Sequence, residues 1–217
     1  MNTPPAALTG FAVEPDPMKP RGMKTNRGNQ AIMQEGAAFK GPGGKLLTGV
    51  LVAAILLATA MVHSNSLQND FVQWDDDKYV YANEDIRQLD GQSIARFFTR
   101  YYLRMYQSVT MLSYALDYKM GGLHPRVYHR TNVIFHLLNV LLVFWAVSML
   151  TRQTAIAAIC ALFFGVHPLH VESVAWISER KDLLYSFFYL SSWIFFILYR
   201  QRENSRRCYF LAILLFL

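Results

Sequence analysis

The sequence predicts an all-α membrane protein: a multi-pass helical bundle with a large, partly helical external first loop. Three observations predict it. Long apolar runs alternate with polar connections, 53% of the residues are hydrophobic with a mean hydropathy of +0.17, and basic residues flank the apolar runs. A net charge of +6 would suit nucleic acid if it formed one stripe. Spread over the ends of apolar runs it suits a membrane face, so membrane lipid is the expected partner and nucleic acid is not. Cys160 and Cys208 both fall in apolar runs, where they read as small buried hydrophobes and offer no disulfide framework.

Residues 1–45 hold many of the prolines and glycines and show no apolar periodicity, which predicts a disordered tail. Lys19, Arg21, Lys24, Arg27, Lys40 and Lys45 outweigh Glu14, Asp16 and Glu35 there, which favours a cytoplasmic location. The first span is expected over 46–62, about 25 Å long at 1.5 Å per residue. Ala58-Thr-Ala60 has the small-x-small form of a cleavage site, so a signal peptide is the rival reading.

Residues 63–130 are polar and aromatic. Asn83-Glu-Asp85 reads as a turn or helix start, and Ser93-Ile-Ala-Arg-Phe-Phe98 as a short amphipathic piece. Tyrosines interspersed with Arg96, Arg100 and Arg104, from Tyr101 onward, predict an interfacial helix on the bilayer surface. The second span is expected over 131–150. His129, Asn132, His136 and Asn139 fall within an arc of roughly 80° on its face at about 100° per residue. Such a stripe faces other helices or a cavity, either gluing the bundle or lining a site.

The third span is expected over 154–177 with a kink at Pro168, then a charged loop Ser178-Glu-Arg-Lys-Asp182, then a fourth span over 183–199. Arg200, Arg202, Arg206 and Arg207 follow, and a further apolar run, 208–217, is expected to be an incomplete span of a truncated chain. Basic residues in the tail, at Arg152 and at 200–207 then alternate as cytoplasmic sites. That puts residues 63–130 and 167–182 together on the other side.

Two constellations on that side carry chemistry. Asp75, Asp76 and Asp77 stand side by side among Trp74, Tyr79 and Tyr81, an arrangement suited to proton transfer, to cation binding, or to a solvated acidic loop. Arg180 and Lys181, flanked by Glu179 and Asp182, suit an anionic phosphate, or an interfacial ion pair. His167-x-x-His170-x-Glu172 has donor types that zinc accepts, but the proline disrupts the spacing and no fourth ligand is evident; no metal site is assigned and a divalent cation stays open.

Several stretches resemble a known family. Phe71-Val-Gln-Trp-Asp-Asp-Asp-Lys-Tyr-Val80, Leu112-Ser-Tyr-Ala-Leu-Asp117, Gly122-Leu-His-Pro125, His129-Arg-Thr-Asn132 and above all His167-Pro-Leu-His-Val-Glu-Ser-Val-Ala-Trp-Ile-Ser-Glu-Arg-Lys-Asp182 look like the membrane domain of the transmembrane and tetratricopeptide-repeat proteins. Members resemble C-type glycosyltransferases of the O-mannosyltransferase kind. The resemblance implies transfer of a sugar, mannose in the first instance, from a polyprenyl-phosphate carrier to a Ser/Thr hydroxyl of an acceptor protein on the non-cytoplasmic face. It further implies a catalytic acidic pair at Asp75 and Asp76. Arg180 and Lys181 would then take the carrier phosphate, and His129, Asn132, His136, His167, His170 and Glu172 would line the cavity. The membrane would be the inner membrane of a bacterium or the endoplasmic reticulum of a eukaryote, and the fragment alone is expected to be inactive. One departure stands out: where the family tends to carry His-Pro-Leu-Thr, this chain has Gln107-Ser-Val-Thr110. The alternative from another class is a non-catalytic multi-pass protein whose external loop binds a partner or a cation.

Overall fold

The computed structural model describes residues 42–201 and 205–217. The expected tail, up to residue 41, and Arg202 lie outside these residues. Among the described residues the chain is helical, with one isolated bridge between Tyr102 and Met105. Helix α1 is Pro42–Val62, α2 Gly91–Thr99, α3 Ser108–Gly121, α4 Pro125–Thr151, α5 Thr154–Val166, α6 Val171–Ala175, α7 Arg180–Gln201 and α8 Arg206–Phe216.

Three stretches, Gly44–Val62, Pro125–Thr151 and Ile177–Gln201, are long and apolar enough to cross a membrane, and α5 with the following Pro168–Ala175 makes a fourth if the bent pair counts as one span. The protein is therefore an all-α, multi-pass integral membrane protein. Boundaries shift from those that hydropathy suggests. Helix α1 takes in 42–45, which the sequence assigned to the tail. Helix α4 starts at Pro125, because proline is welcome in a first turn that has no use for its missing N–H, so its first turns extend into what the sequence assigned to the loop. Its other end is set by Arg152, whose left-handed backbone (φ 57°) stops the helix.

The third span does not continue through Pro168 with a mere kink. His167 takes an extended backbone (φ −67°, ψ 131°), as a residue before proline prefers, and the chain bends by 50°. The His167 ring then accepts the Leu169 amide at 3.2 Å and starts a single 3₁₀ turn.

Helix α4 is the centre of the bundle, packing on α1, α5 and α7, with α8 against α7. Ile55, Val140, Ala158 and Ala161 form the core between α1, α4 and α5. Small residues let these backbones approach closely; at Gly165 a Cβ would run into the Thr59 hydroxyl and crowd Val140.

The external loop is a folded cap. Tyr79, Val80, Ile86, Phe97, Met111, Tyr114, Ala115, Tyr128 and Ile177 form one buried cluster, each large side chain contributing about 1.5–3 kcal/mol of burial. Asn83 accepts the Asp85 amide at 3.0 Å, the helix start that its sequence suggests. Of the expected interfacial helix from Tyr101, only the part from Ser108 onward, with Met111, Leu112, Tyr114 and Leu116, is helical. Before it, Leu103 and Arg104 adopt left-handed backbones (φ 47° and 66°), a tight turn that pairs Tyr102 with Met105, and helix α3 begins only at Ser108. The turn is held because Tyr102 donates to Asp85 at 3.0 Å and Tyr106 donates to the Phe98 carbonyl at 3.0 Å.

Candidate active site

The acidic stretch is shaped by a single π-helical turn, Asp77–Tyr81, which buries Tyr79 and Val80 and divides the three aspartates between environments. Asp76 is 0% exposed. Its carboxylate accepts the Val72 amide at 2.9 Å and the Ser178 amide at 3.0 Å, and it takes a further bond from the Ser178 hydroxyl. It therefore ties the first loop to the turn before α7. Asp75 is only half-buried, and Asp77 caps the Lys78 amide at 2.8 Å. Trp74, beside Asp75, is 70% exposed. Adjacent carboxylates with opposite fates cannot share one job.

Arg180 is also 0% exposed, and each of its three guanidinium nitrogens has a partner. It pairs with Asp117 at 2.6 Å, and donates to the Asn132 side chain at 2.7 Å, the Tyr128 carbonyl at 2.8 Å and the Ser113 hydroxyl at 3.2 Å. Its guanidinium lies 4.6 Å from the Tyr114 ring centroid, and Thr131 donates to Asp117 at 2.7 Å. Tyr114 in turn donates to the Ile177 carbonyl at 2.9 Å. Lys181, one residue on, is partly exposed and pairs with Glu179 at 2.6 Å. The two cations that the sequence placed together thus point to different worlds: Arg180 into the protein, Lys181 to its surface.

The stripe on α4 is buried throughout. Asn132 donates to the carbonyls of Trp176 and Val174 at 3.0 and 3.4 Å, His136 meets the Gly165 carbonyl at 3.0 Å, and Asn139 donates to the Leu183 carbonyl at 2.9 Å. At the ends of α5 and α6, His136 and Asn132 supply hydrogen bonds that the broken helices no longer make for themselves, while Asn139 joins α4 to the first turn of α7. Asn132 and His136 thus bond α4 to the broken helices in the interior, and His129 is buried beside the Asn69–Asp70 backbone. His63 meets the same Gly165 carbonyl at 3.1 Å, and its ring lies 4.8 Å from His136, a partnership that no periodicity indicated. His167 and His170 are half-buried next to Phe163 and Phe164, and Glu172 is exposed. Among the described residues no three His, Cys, Asp or Glu side chains stand close enough to hold a metal ion.

Close to Lys181 opens a groove of about 840 Å³. Leu184, Tyr185, Phe188 and residues 214–217 give it an apolar wall from the bundle. Gln107, Ser108, Thr110, Lys181 and Asp182 give it a polar end, with Phe98 and Tyr106 of the cap above. Gln107 donates to the Tyr79 hydroxyl at 3.1 Å. Burial pushes the Tyr79 phenol above its ordinary value; the Gln107 bond and the charge of Lys181 act the other way, and Asp75 and Glu179 act with burial. Gln107 lines this groove and is tied to the buried Tyr79 behind it; the sequence marked position 107 only as a departure from the family pattern.

Fold and site together define a helical integral membrane protein with a folded cap clamped over an amphipathic groove. Curated proteins that it matches include several protein O-mannosyl-transferases, which bears out the resemblance read from its motifs. It is 33% identical to protein O-mannosyl-transferase TMTC3 of Homo sapiens over 102 residues, 47% of this chain and 11% of that protein. With TMTC1 of Mus musculus it shares 29% over 168 residues, 72% of this chain and 17% of that protein, and with TMTC2 of Homo sapiens 28% over 146 residues, 63% and 17%. The chain thus spans only 11 to 17% of the length of these relatives. No family model matches it, and no solved structure does.

Proposed function

We propose that this chain is part of a membrane glycosyltransferase that moves mannose from a polyprenyl-phosphate carrier to a Ser/Thr hydroxyl of a protein acceptor on the non-cytoplasmic face. The observation that carries the reading is the groove beside Lys181, apolar along the bundle and polar beneath the cap, as an isoprenoid phosphate requires. The names of the relatives support the sugar and the acceptor.

In this reading the acceptor hydroxyl attacks the anomeric carbon as Asp75 takes its proton. The bond from that carbon to the phosphate oxygen breaks, its electron pair stays with the phosphate, and Lys181 offsets the growing charge. Asp76 and Arg180 act as positioning residues. Asp76 holds the loop that carries Asp75 against Ser178, and Arg180 anchors the start of α7 so that Lys181 faces the groove. The catalytic pair and the cationic pair of the sequence reading each divide into one working and one anchoring member.

The test is Asp75→Asn in the full-length protein reconstituted in liposomes, given polyprenyl-phosphate mannose and a Ser/Thr peptide. General-base assistance is worth about 10²–10⁴-fold, so turnover should fall at least about a hundredfold. Carrier binding should persist, whereas Lys181→Ala should weaken it. Near wild-type turnover in Asp75→Asn would refute the base, and would favour an external loop that only binds a partner or a cation.

A further inference from the structure

Two side chains at the polar end of the groove carry hydrogen-bonding capacity that the protein leaves unused. Gln107 is 8% exposed and Ser108 is 5% exposed, yet the Gln107 Oε1 and the Ser108 Oγ have no partner among the described residues. Both residues line the groove together with Lys181 and Asp182. Burying a polar atom without a partner costs stability, so such atoms call for an explanation.

Local structure does not provide one. A serine at the start of a helix ordinarily caps it, but Ser108 is already the first residue of α3, and neither it nor Gln107 at the cap position makes a side-chain capping bond. The Gln107 Nε2 is engaged by Tyr79 and reaches the Met105 sulfur at 3.7 Å, leaving the carbonyl end. Turning the amide over would exchange the two ends and leave the other one equally idle. The pair therefore leaves one amide atom and one hydroxyl, neighbours in sequence, without a partner at the polar end of the groove.

We propose that Gln107 and Ser108 form a hydroxyl-reading subsite that recognises the hexose of a lipid-linked phosphosugar in this groove. The subsite rests on the reading of the groove as a carrier site and adds what selects the sugar. Adjacent hydroxyls of a hexose both donate and accept. An amide atom and a serine hydroxyl match them without charge, while Lys181 is left for the phosphate.

The experiment compares two soluble probes on the full-length protein in phosphatidylcholine nanodiscs: dodecyl phosphomannose, and methyl dodecyl phosphate, which has the same tail and phosphodiester but no hexose. The wild type should prefer the mannosyl probe by about tenfold or more, and Ser108→Ala should bring the ratio toward one while the methyl ester still binds. Ser108→Ala touches no protein partner and removes an idle buried hydroxyl, so its Tm should not fall. Gln107→Leu should have the same effect on the ratio, with some loss of stability from the Tyr79 bond. An unchanged preference in both variants overturns the subsite and leaves the carrier groove standing. Loss of methyl ester binding along with the preference also counts against it, because it marks a collapsed groove. A wild type that binds neither probe refutes the carrier groove and the subsite together.

Discussion

Replacing Arg180 by methionine should be among the most damaging single changes in the described residues, and its size follows from the geometry. The guanidinium is 0% exposed, paired at 2.6 Å with Asp117, which is itself 1% exposed. Removing the cation strands a buried carboxylate, an event that costs about 3–5 kcal/mol. Asn132 Oδ1 loses its donor as well, a further loss of about 1 kcal/mol or more. Asp117→Leu strands the cation instead and should cost about 3–5 kcal/mol for the same reason. The double variant holds neither charge. It should cost no more than about the worse of the two singles, so the coupling within the cycle is at least about 3 kcal/mol. Unfolding in mixed micelles of increasing dodecyl sulfate content, followed by tryptophan fluorescence, measures all four corners. Additive losses would refute the argument, as would an Arg180→Met protein of wild-type stability, since either means that the ion pair is solvated.

Two other predictions address packing and pH. Gly165→Ala should destabilise by about 1–3 kcal/mol because its methyl group meets Thr59 and Val140; Thr59→Ala in the same chain should recover part of the loss, measured as Tm in detergent. Tyr102 is pushed up to about 12, first by burial and then by its bond to Asp85. A folded value above the ordinary 10 means that its contribution is complete below pH 10 and is lost as pH rises toward 12. Phenolate absorbance should lose one late-titrating tyrosine in Tyr102→Phe, while Tyr79 and Tyr114, which burial also raises, still titrate late.

Hydropathy and charge by themselves determine that this chain is a helical membrane protein, about where its spans lie, and that residues 63–130 and 167–182 can meet at one end. These are properties of local composition: an apolar run of sufficient length has few alternatives in a bilayer, and a stripe such as His129, Asn132, His136 and Asn139 must turn inward. The motif Pro168 likewise announces a break, because a missing N–H acts on its own segment. What each polar residue does there is another matter, decided only by tertiary contacts. Asp75 and Asp76 are the same residue type one position apart, as Arg180 and Lys181 are both cations. Nothing local says that Asp76 turns to the amides of Val72 and Ser178, or that Arg180 turns to Asp117, Asn132 and Tyr128. Those partners lie up to 102 residues away along the chain. A one-residue step reverses or rotates a side chain's direction, so whether a charge is buried as an anchor or stays partly exposed beside a groove depends on which distant backbone closes over it.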